Sequence, residues 1–432
     1  MKITLINPLF DYTTFNSPNR VFQPLSLLNM AALLKPLGHE LLLIDANSDG
    51  ISPGSSVWDK LTADIFIVSS ASVDRWQCPA VEADCLVRLL RILCGKECLL
   101  ILTGPHAPAN PSKYLISEKI IAVRGEPEAA ILDLVEKAET RDFRKVPGIL
   151  YRHGDELIYT EKRSESIFPE LPLPAYELAD MGKYSYSFLS GKFSLVEGSR
   201  GCSYTCPFCF KEMYPANLIE KPLEKLIPEI EHLIRMGIES IFFIDLDFCA
   251  NRNRVERFCS VIIKHKLKFS WACQTRADHL DDKLLQLMSW AGCRLLEFGV
   301  ESANPVTLER IGKKNSGKLN HILRKCEESG IDTILFFIIG LPGESAADHR
   351  RTYRLARRLS PAYVSFKPWV DYPRILSGIG KGGLLENHRI CRKLTLRYYL
   401  HPGYLFRMLR KKKFSFLWRN FRDNFLPLII RK

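Results

Sequence analysis

Phe193-Ser194-Leu195-Val196-Glu197-Gly198-Ser199-Arg200-Gly201-Cys202-Ser203-Tyr204-Thr205-Cys206-Pro207-Phe208-Cys209-Phe210 is the stretch that decides the fold. A short apolar run, strand-like in pattern, feeds a loop with three cysteines in C-x3-C-x2-C spacing. Thiolates this close can converge on one metal centre. Three of them cannot complete a cubane iron–sulfur cluster, which takes four ligands, so one iron stays open for chemistry. The rival is zinc, which is held by Cys and His in paired spacings. A zinc site lacks its fourth ligand here, because the next His is His232 and the next Cys is Cys249. Phe208, between the last two thiols, can shield a cluster from water and so act on its potential; plain packing would also explain it.

Downstream, apolar strands alternate with amphipathic helices. Helix 223–236 leads to strand 240–244, helix 254–264 to 269–273, helix 283–291 to 295–300, helix 318–329 to 333–339, and helix 346–359 to 363–366. With 193–196 these make the strands of a partial (β/α)6 barrel, in which functional groups gather beyond the strand carboxyl ends. The cysteine loop, Asp245 and Asp247, Gln274 to Arg276, Glu301 and Ser302, and Gly340 to Glu344 all fall there.

Upstream the same alternation gives strands 2–7, 41–45, 65–69, 99–103 and 119–123 with helices 25–37 and 80–93, a doubly wound parallel α/β sheet. Ligands bind such sheets outside the strand carboxyl ends, here Asn7-Pro8, Ser69 to Ser72 and Gly104-Pro105-His106. A hairpin at 148–160 and a proline-rich linker at 168–176 follow, the prolines marking a boundary. The expected division is 1–140, an N-terminal sheet domain; 141–185, hairpin and linker; 186–372, barrel; and 373–432, a basic helical tail.

Composition narrows the class. The chain has 432 residues, 46% of them hydrophobic, enough for two or three domains with ordinary cores. No run approaches the ~18 apolar residues of a membrane helix. The opening Met1-Lys2-Ile3-Thr4-Leu5-Ile6-Asn7 reads as a strand, not a leader. Thirteen cysteines without a secretion signal point to a reducing cytoplasm. Cys78, Cys85, Cys94 and Cys98 match no ligand spacing and read as buried thiols. The net charge is +13, of which residues 391–432 carry +11. In that tail Phe414, Leu417, Trp418, Phe421 and Phe425 follow helical spacing beside Lys411 to Lys413, Arg419 and Arg422. This pattern suits contact with the inner face of a membrane; docking on the barrel is the alternative, and a nucleic-acid patch is disfavoured.

The cysteine loop resembles the signature of radical S-adenosylmethionine (SAM) enzymes, and the likeness extends over residues 186–372. The resemblance implies a [4Fe-4S] cluster on Cys202, Cys206 and Cys209, with SAM chelating the fourth iron and reductive cleavage releasing a 5′-deoxyadenosyl radical. It places Phe208 beside the cofactor, Asp245 and Asp247 at the methionine ammonium, Arg276 at the methionine carboxylate, and Glu301 and Ser302 at the ribose. It places Gly340 and Gly343 where backbone approaches the adenine. The loop after the second barrel strand departs from the Gly-Gly-Glu wording common in the family.

Gln23 to His39, Leu43 to Ala46, Thr103 to Ala107, Arg124 to Glu128 and Leu171 to Tyr176, in that order, resemble the cobalamin-binding-domain branch of that family. This implies cobalamin near Asn7, Ser69, Ser70, Gly104, Pro105, His106, Gly125 and Glu126. The cobalt-binding Asp-x-His-x-x-Gly motif is absent; Asp45 to Gly50 mimics it with Asn47 for His, after the second strand rather than the first. Many members lack that His and hold the corrin by backbone and small polar groups. The implied activity is C-methylation of an unactivated carbon in a small hydrophobic substrate, fed by an external low-potential electron donor. Rival readings are a radical cyclase, ring-contracting enzyme or oxidase; a transfer-RNA methylthiotransferase, which would want a second cysteine triad near the N-terminus; and a non-enzymatic cobalamin or redox sensor.

Overall fold

The computed structural model describes residues 1–9, 20–71, 84–209, 211, 213–215, 217–313, 317–371 and 381–410. Ser72, Cys78 and the whole amphipathic stretch 414–425 lie outside the described residues.

Two sheets organise the chain. In the N-terminal one, strands run in the order Glu40–Asp45, Lys2–Asn7, Ile65–Ser69, Leu99–Thr103, Ile120–Val123, Ile149–His153, Glu156–Tyr159. The first five are parallel. Ile65–Ser69 and Leu99–Thr103 are buried along their entire length, as central parallel strands covered on both faces must be. The hairpin expected between the domains instead extends this sheet, pairing antiparallel with Ile120–Val123. The first helix also ends sooner than its apolar pattern suggests, at Leu34. Pro36 has no N–H for the next helical bond, so Lys35–Leu37 tightens into a 3-10 turn closed by left-handed Gly38.

The second sheet holds six parallel strands in sequence order: Phe193–Val196, Ser240–Phe243, Ser270–Gln274, Cys293–Glu301, Asp332–Ile339 and Tyr363–Pro368. It is a barrel left open, so it has two edges with unspent backbone groups. Each edge is met by a side chain. Gln23 accepts from Leu195 N (2.9 Å) and donates to Leu195 O (3.1 Å) and Ser194 Oγ (2.8 Å). On the last strand, the Tyr399 hydroxyl accepts from Val364 N (3.0 Å) and donates to Val364 O (2.8 Å). Tyr399 ends the helix Lys381–Tyr399, which with Pro402–Arg410 docks against the barrel; Tyr398 and Tyr404 donate to Pro361 O and Ala362 O.

Helix Leu25–Leu34 joins the two halves. Leu25 and Leu28 belong to the barrel core, whereas Leu27, Met30, Ala31 and Leu34 belong to the N-terminal core. Apolar burial on both sides, roughly 25 cal/mol per Å2, holds the domains as neighbours.

Candidate active site

The cysteine loop leaves the first barrel strand and returns as an antiparallel pairing of Ser199–Arg200 with Ile219–Glu220. Arg254 staples both legs, donating to Gly198 O (2.9 Å) and Lys221 O (3.1 Å). Asp245, fully buried at the end of the second strand, takes Gly198 N (2.8 Å) on one carboxylate oxygen and Ser199 Oγ (2.6 Å) on the other. Burial lifts its carboxyl to about 6 against the opposing pull of Arg254 and these two donors. Asp245 therefore anchors the root of the loop.

Gly201 sits where the loop crosses itself. Its φ is +83°, and a Cβ there would fall 2.1 Å from Asn217 O and 2.8 Å from Pro215 O. Beyond it, Cys202, Cys206 and Cys209 are half-buried, and Cys209 N donates to Cys206 O at 3.0 Å. Lys211 Nζ donates to Cys202 O at 3.0 Å and also to Tyr204 O. Burial pushes the Cys202 thiol up. By contrast Cys249, Cys259, Cys273, Cys293 and Cys326 are buried in the barrel core. The cysteine loop thus offers three accessible sulfur ligands in one turn. Among the described residues no three His, Cys, Asp or Glu side chains converge as a single ion requires. Cysteine thiolates are the ligands that iron–sulfur clusters take. The donor set fits a cluster.

Around the loop the strand ends form two groups. In the first, Arg276 stacks on the Tyr204 ring (4.2 Å) and pairs with Asp278 (3.0 Å). His279 Nε2 lies 3.3 Å from the Tyr204 hydroxyl and 3.1 Å from Asp247 Oδ2, while Asp247 Oδ1 accepts from Thr275 Oγ1 (2.8 Å). The hydrogen bond with Asp247 raises the His279 pKa above its usual value. Asp247 and Arg276 are thereby joined through Tyr204 and His279. The second group surrounds the ends of the fourth and fifth strands. Glu301 has a left-handed φ of +67° at a bulge and pairs with Lys313 at 2.8 Å. Ser302 donates to Glu344 Oε1 (2.6 Å), and Glu344 Oε2 accepts from Gly340 N (3.2 Å) and Leu341 N (3.3 Å). The close approach permitted by Gly340 is made by Asn387, whose Nδ2 lies 2.0 Å from where a Cβ would stand. Phe208 packs against the cluster of Leu308, Ile311 and Leu341, bringing the cysteine loop across to the far side of the barrel mouth.

The N-terminal candidates also cluster. Parallel register sets Asn7, Ser69 and Thr103 on adjacent strand ends, and Ser70 Oγ accepts from His106 N (3.2 Å), after the Gly104-Pro105 turn. Three buried polar atoms here have no partner among the described residues: Asn7 Oδ1, Thr103 Oγ1 and His106 Nε2. Burial drops the His106 pKa to about 3, so the imidazole is neutral. Unspent hydrogen-bonding groups at the ligand-binding end of a doubly wound sheet fit an amide-rich ligand such as a corrin. Glu126, after Gly125, points elsewhere: its carboxylate pairs with Arg200 of the cysteine loop at 2.6 Å.

Tyr204, His279, Lys313, Asn387 and Thr103 were not singled out as site residues in the sequence. Tyr204 carried a signal, lying between two cysteines; His279 and Asn387 carried none.

Residues 196–356 match the Radical SAM superfamily. These residues form a radical SAM domain; the cofactors of that family are a [4Fe-4S] cluster and SAM. The chain is 26% identical over 390 residues to an uncharacterised methyltransferase, PH0819, of Pyrococcus horikoshii, covering 86% of this chain and 81% of that protein. It is 27% identical over 358 residues to the anaerobic magnesium-protoporphyrin IX monomethyl ester cyclase of Rubrivivax gelatinosus, covering 80% of this chain and 63% of that one. In fold it is similar to the radical SAM methyltransferase TsrM of Kitasatospora setae, solved with cobalamin and a [4Fe-4S] cluster bound (TM-score 0.66, 16% identity, 85% of this chain and 72% of that chain). No helix among the described residues is long and apolar enough to cross a membrane.

Proposed function

We propose that this chain is a cobalamin-dependent radical SAM C-methyltransferase acting on an unactivated carbon of a small hydrophobic substrate. The observation that carries the reading is the row of buried groups on Asn7, Thr103 and His106 that have no partner among the described residues, at the strand ends of a sheet domain fused to the radical SAM barrel. When bound, the cluster with SAM supplies a carbon-centred radical and the corrin supplies a methyl group. The chain's own part is binding and placement. Cys202, Cys206 and Cys209 would hold the cluster, and Asp245, Arg254 and Lys211 fix the loop that presents them. Asp247 and Arg276 are proposed to meet the amino-acid end of SAM, with Glu301, Ser302 and the Gly340 backbone at the nucleoside. Ser69, Ser70, Gly104 and Pro105 are proposed to line the corrin, and placement at this range matters because a radical must meet its partner before it meets solvent. An external low-potential donor is proposed to supply the electron.

The test is anaerobic reconstitution with iron, sulfide and hydroxocobalamin. A bound corrin spectrum together with 5′-deoxyadenosine formation supports the proposal; iron loading and deoxyadenosine without corrin would redirect it to radical chemistry without methyl transfer. That second reading, a cyclase or related oxidation, is favoured by the likeness to the Rubrivivax gelatinosus cyclase. Product mass separates them, since methylation adds one CH2 and cyclisation adds none. We also propose that the basic C-terminal region touches an anionic membrane. On helix Pro402–Arg410, which carries Arg407 and Arg410, Leu405, Phe406 and Leu409 are exposed. Absence of co-sedimentation with phosphatidylglycerol vesicles would remove it.

A further inference from the structure

We infer that Arg200 is the positioning residue that registers the cysteine loop against the N-terminal domain, acting through Glu126 and Glu128; this rests on the reading of the two domains as holding a cluster and a corrin. Arg200 stands two residues before Cys202 and its side chain is fully buried. One nitrogen, Nη1, donates to Glu126 Oε1 (2.6 Å) and Glu128 Oε2 (3.2 Å); the other, Nη2, donates to Glu128 Oε1 (2.8 Å) and Glu197 Oε2 (2.9 Å). Its guanidinium also lies 4.2 Å from the centre of the Phe168 ring. One planar group thus touches three segments far apart in sequence. These are the turn after strand Ile120–Val123, the proline-rich linker, and the barrel itself.

The placement of the two carboxylates matters. Glu126 and Glu128 follow left-handed Gly125, and Glu128 lies in the first turn of helix Pro127–Glu136. That turn leaves the strand beside Leu99–Thr103, whose end carries Thr103, Gly104 and His106. The same residue that roots the cysteine loop is therefore fastened to the neighbour of the expected corrin floor. Stability alone is a poor account of it. Three carboxylates gathered on one guanidinium are costly to bury, and a buried ionic group gives little net stability over apolar packing; fixing register is its best attested use. Helix Leu25–Leu34 already supplies apolar docking between the domains. A bidentate fork adds a fixed orientation that a lysine, a flexible point charge, cannot reproduce.

The test uses the full chain with Arg200→Lys and, separately, Glu126→Gln, whose carboxylate is partly exposed and whose loss leaves the rest of the network in place. The first readout needs no cofactor: hydrogen–deuterium exchange of segments 120–128 and 198–209. The second is the distance distribution between the reduced cluster and cob(II)alamin in anaerobically loaded protein, measured by pulsed dipolar spectroscopy. Both variants are expected to keep wild-type circular dichroism and iron content. Exchange should rise several-fold in both segments together, and the single narrow distance of the wild type should broaden. Exchange that stays unchanged, or rises only in 198–209, overturns the inference, as does an unaltered distance distribution. Should Arg200→Lys not fold, Glu126→Gln decides by the same readouts. Should wild-type protein bind no corrin or no cluster, the functional reading fails by itself, while the exchange experiment still decides the role of Arg200.

Discussion

Two glycines with nearly the same backbone make a controlled pair. Gly201 has φ +83° and Gly125 has φ +89°, but a Cβ at Gly125 meets nothing within 4 Å, whereas one at Gly201 meets Asn217 O at 2.1 Å and Pro215 O at 2.8 Å. Alanine at either position must adopt a left-handed conformation, at a cost of roughly 1–2 kcal/mol. At Gly125 that is the whole effect. At Gly201 the returning leg of the cysteine loop must also move by the better part of an ångström against Arg254 and the Ser199–Arg200 pairing. Overpacking of that kind adds about 1–3 kcal/mol, so Gly201→Ala should cost about 2–5 kcal/mol against about 1–2 for Gly125→Ala. The larger strain falls on the residue next to Cys202. The assay is iron and sulfide per chain after anaerobic reconstitution, read beside the urea midpoint. Gly201→Ala should lose most of its cluster and unfold at lower urea, and Gly125→Ala should keep its cluster. Equal iron loading and equal midpoints in the two variants would refute the crossing-point argument.

Further outcomes follow from burial. The Asp245 carboxyl is raised by burial from 3.8 to about 6 in the folded protein, so the folded state binds the extra proton between those values. Stability then falls as pH rises from about 4 to about 6, by roughly 3 kcal/mol, and is flat above; Asp245→Asn should abolish that slope in denaturant midpoints, and parallel curves would contradict it. In cluster-free protein, iodoacetamide should label Cys202, Cys206 and Cys209 but spare Cys259, Cys273, Cys293 and Cys326, whose thiols burial pushes well up. Mass mapping checks this, and comparable labelling of the core set counts against it. Tyr399→Phe should strip both backbone groups of Val364 of their partner, costing about 1–3 kcal/mol and speeding exchange of the Val364 amide; unchanged protection would show that the barrel edge needs no such cap.

The parts of this molecule legible in its sequence are those set by local pattern. Strands such as Ile65–Ser69 and Leu99–Thr103 announce themselves because a strand buried on both faces must be a continuous apolar run. The cysteine loop is legible because the ligands of one cluster lie within eight residues. Pairing across long separations is not. Nothing near residues 149–159 says that the hairpin joins the first sheet rather than standing between domains. Arg200 could be read as part of the loop, but its partners Glu126 and Glu128 lie more than seventy residues earlier. Asp245 and Gly340 illustrate the limit at the site itself. Sequence position put both at strand ends, whereas only packing shows that Asp245 is spent on Gly198 and Ser199 and that Asn387, from the C-terminal helix, reaches Gly340.

The measurement that bears most directly on the account is electron paramagnetic resonance of the oxygen-free, reconstituted and reduced protein, with and without SAM, in wild type and Cys206→Ala. The wild type should hold about four iron atoms per chain in one cubane, whose spectrum shifts when SAM is added, and the variant should show neither that signal nor deoxyadenosine. Zinc in place of iron, a spectrum indifferent to SAM, or deoxyadenosine from the variant would contradict it.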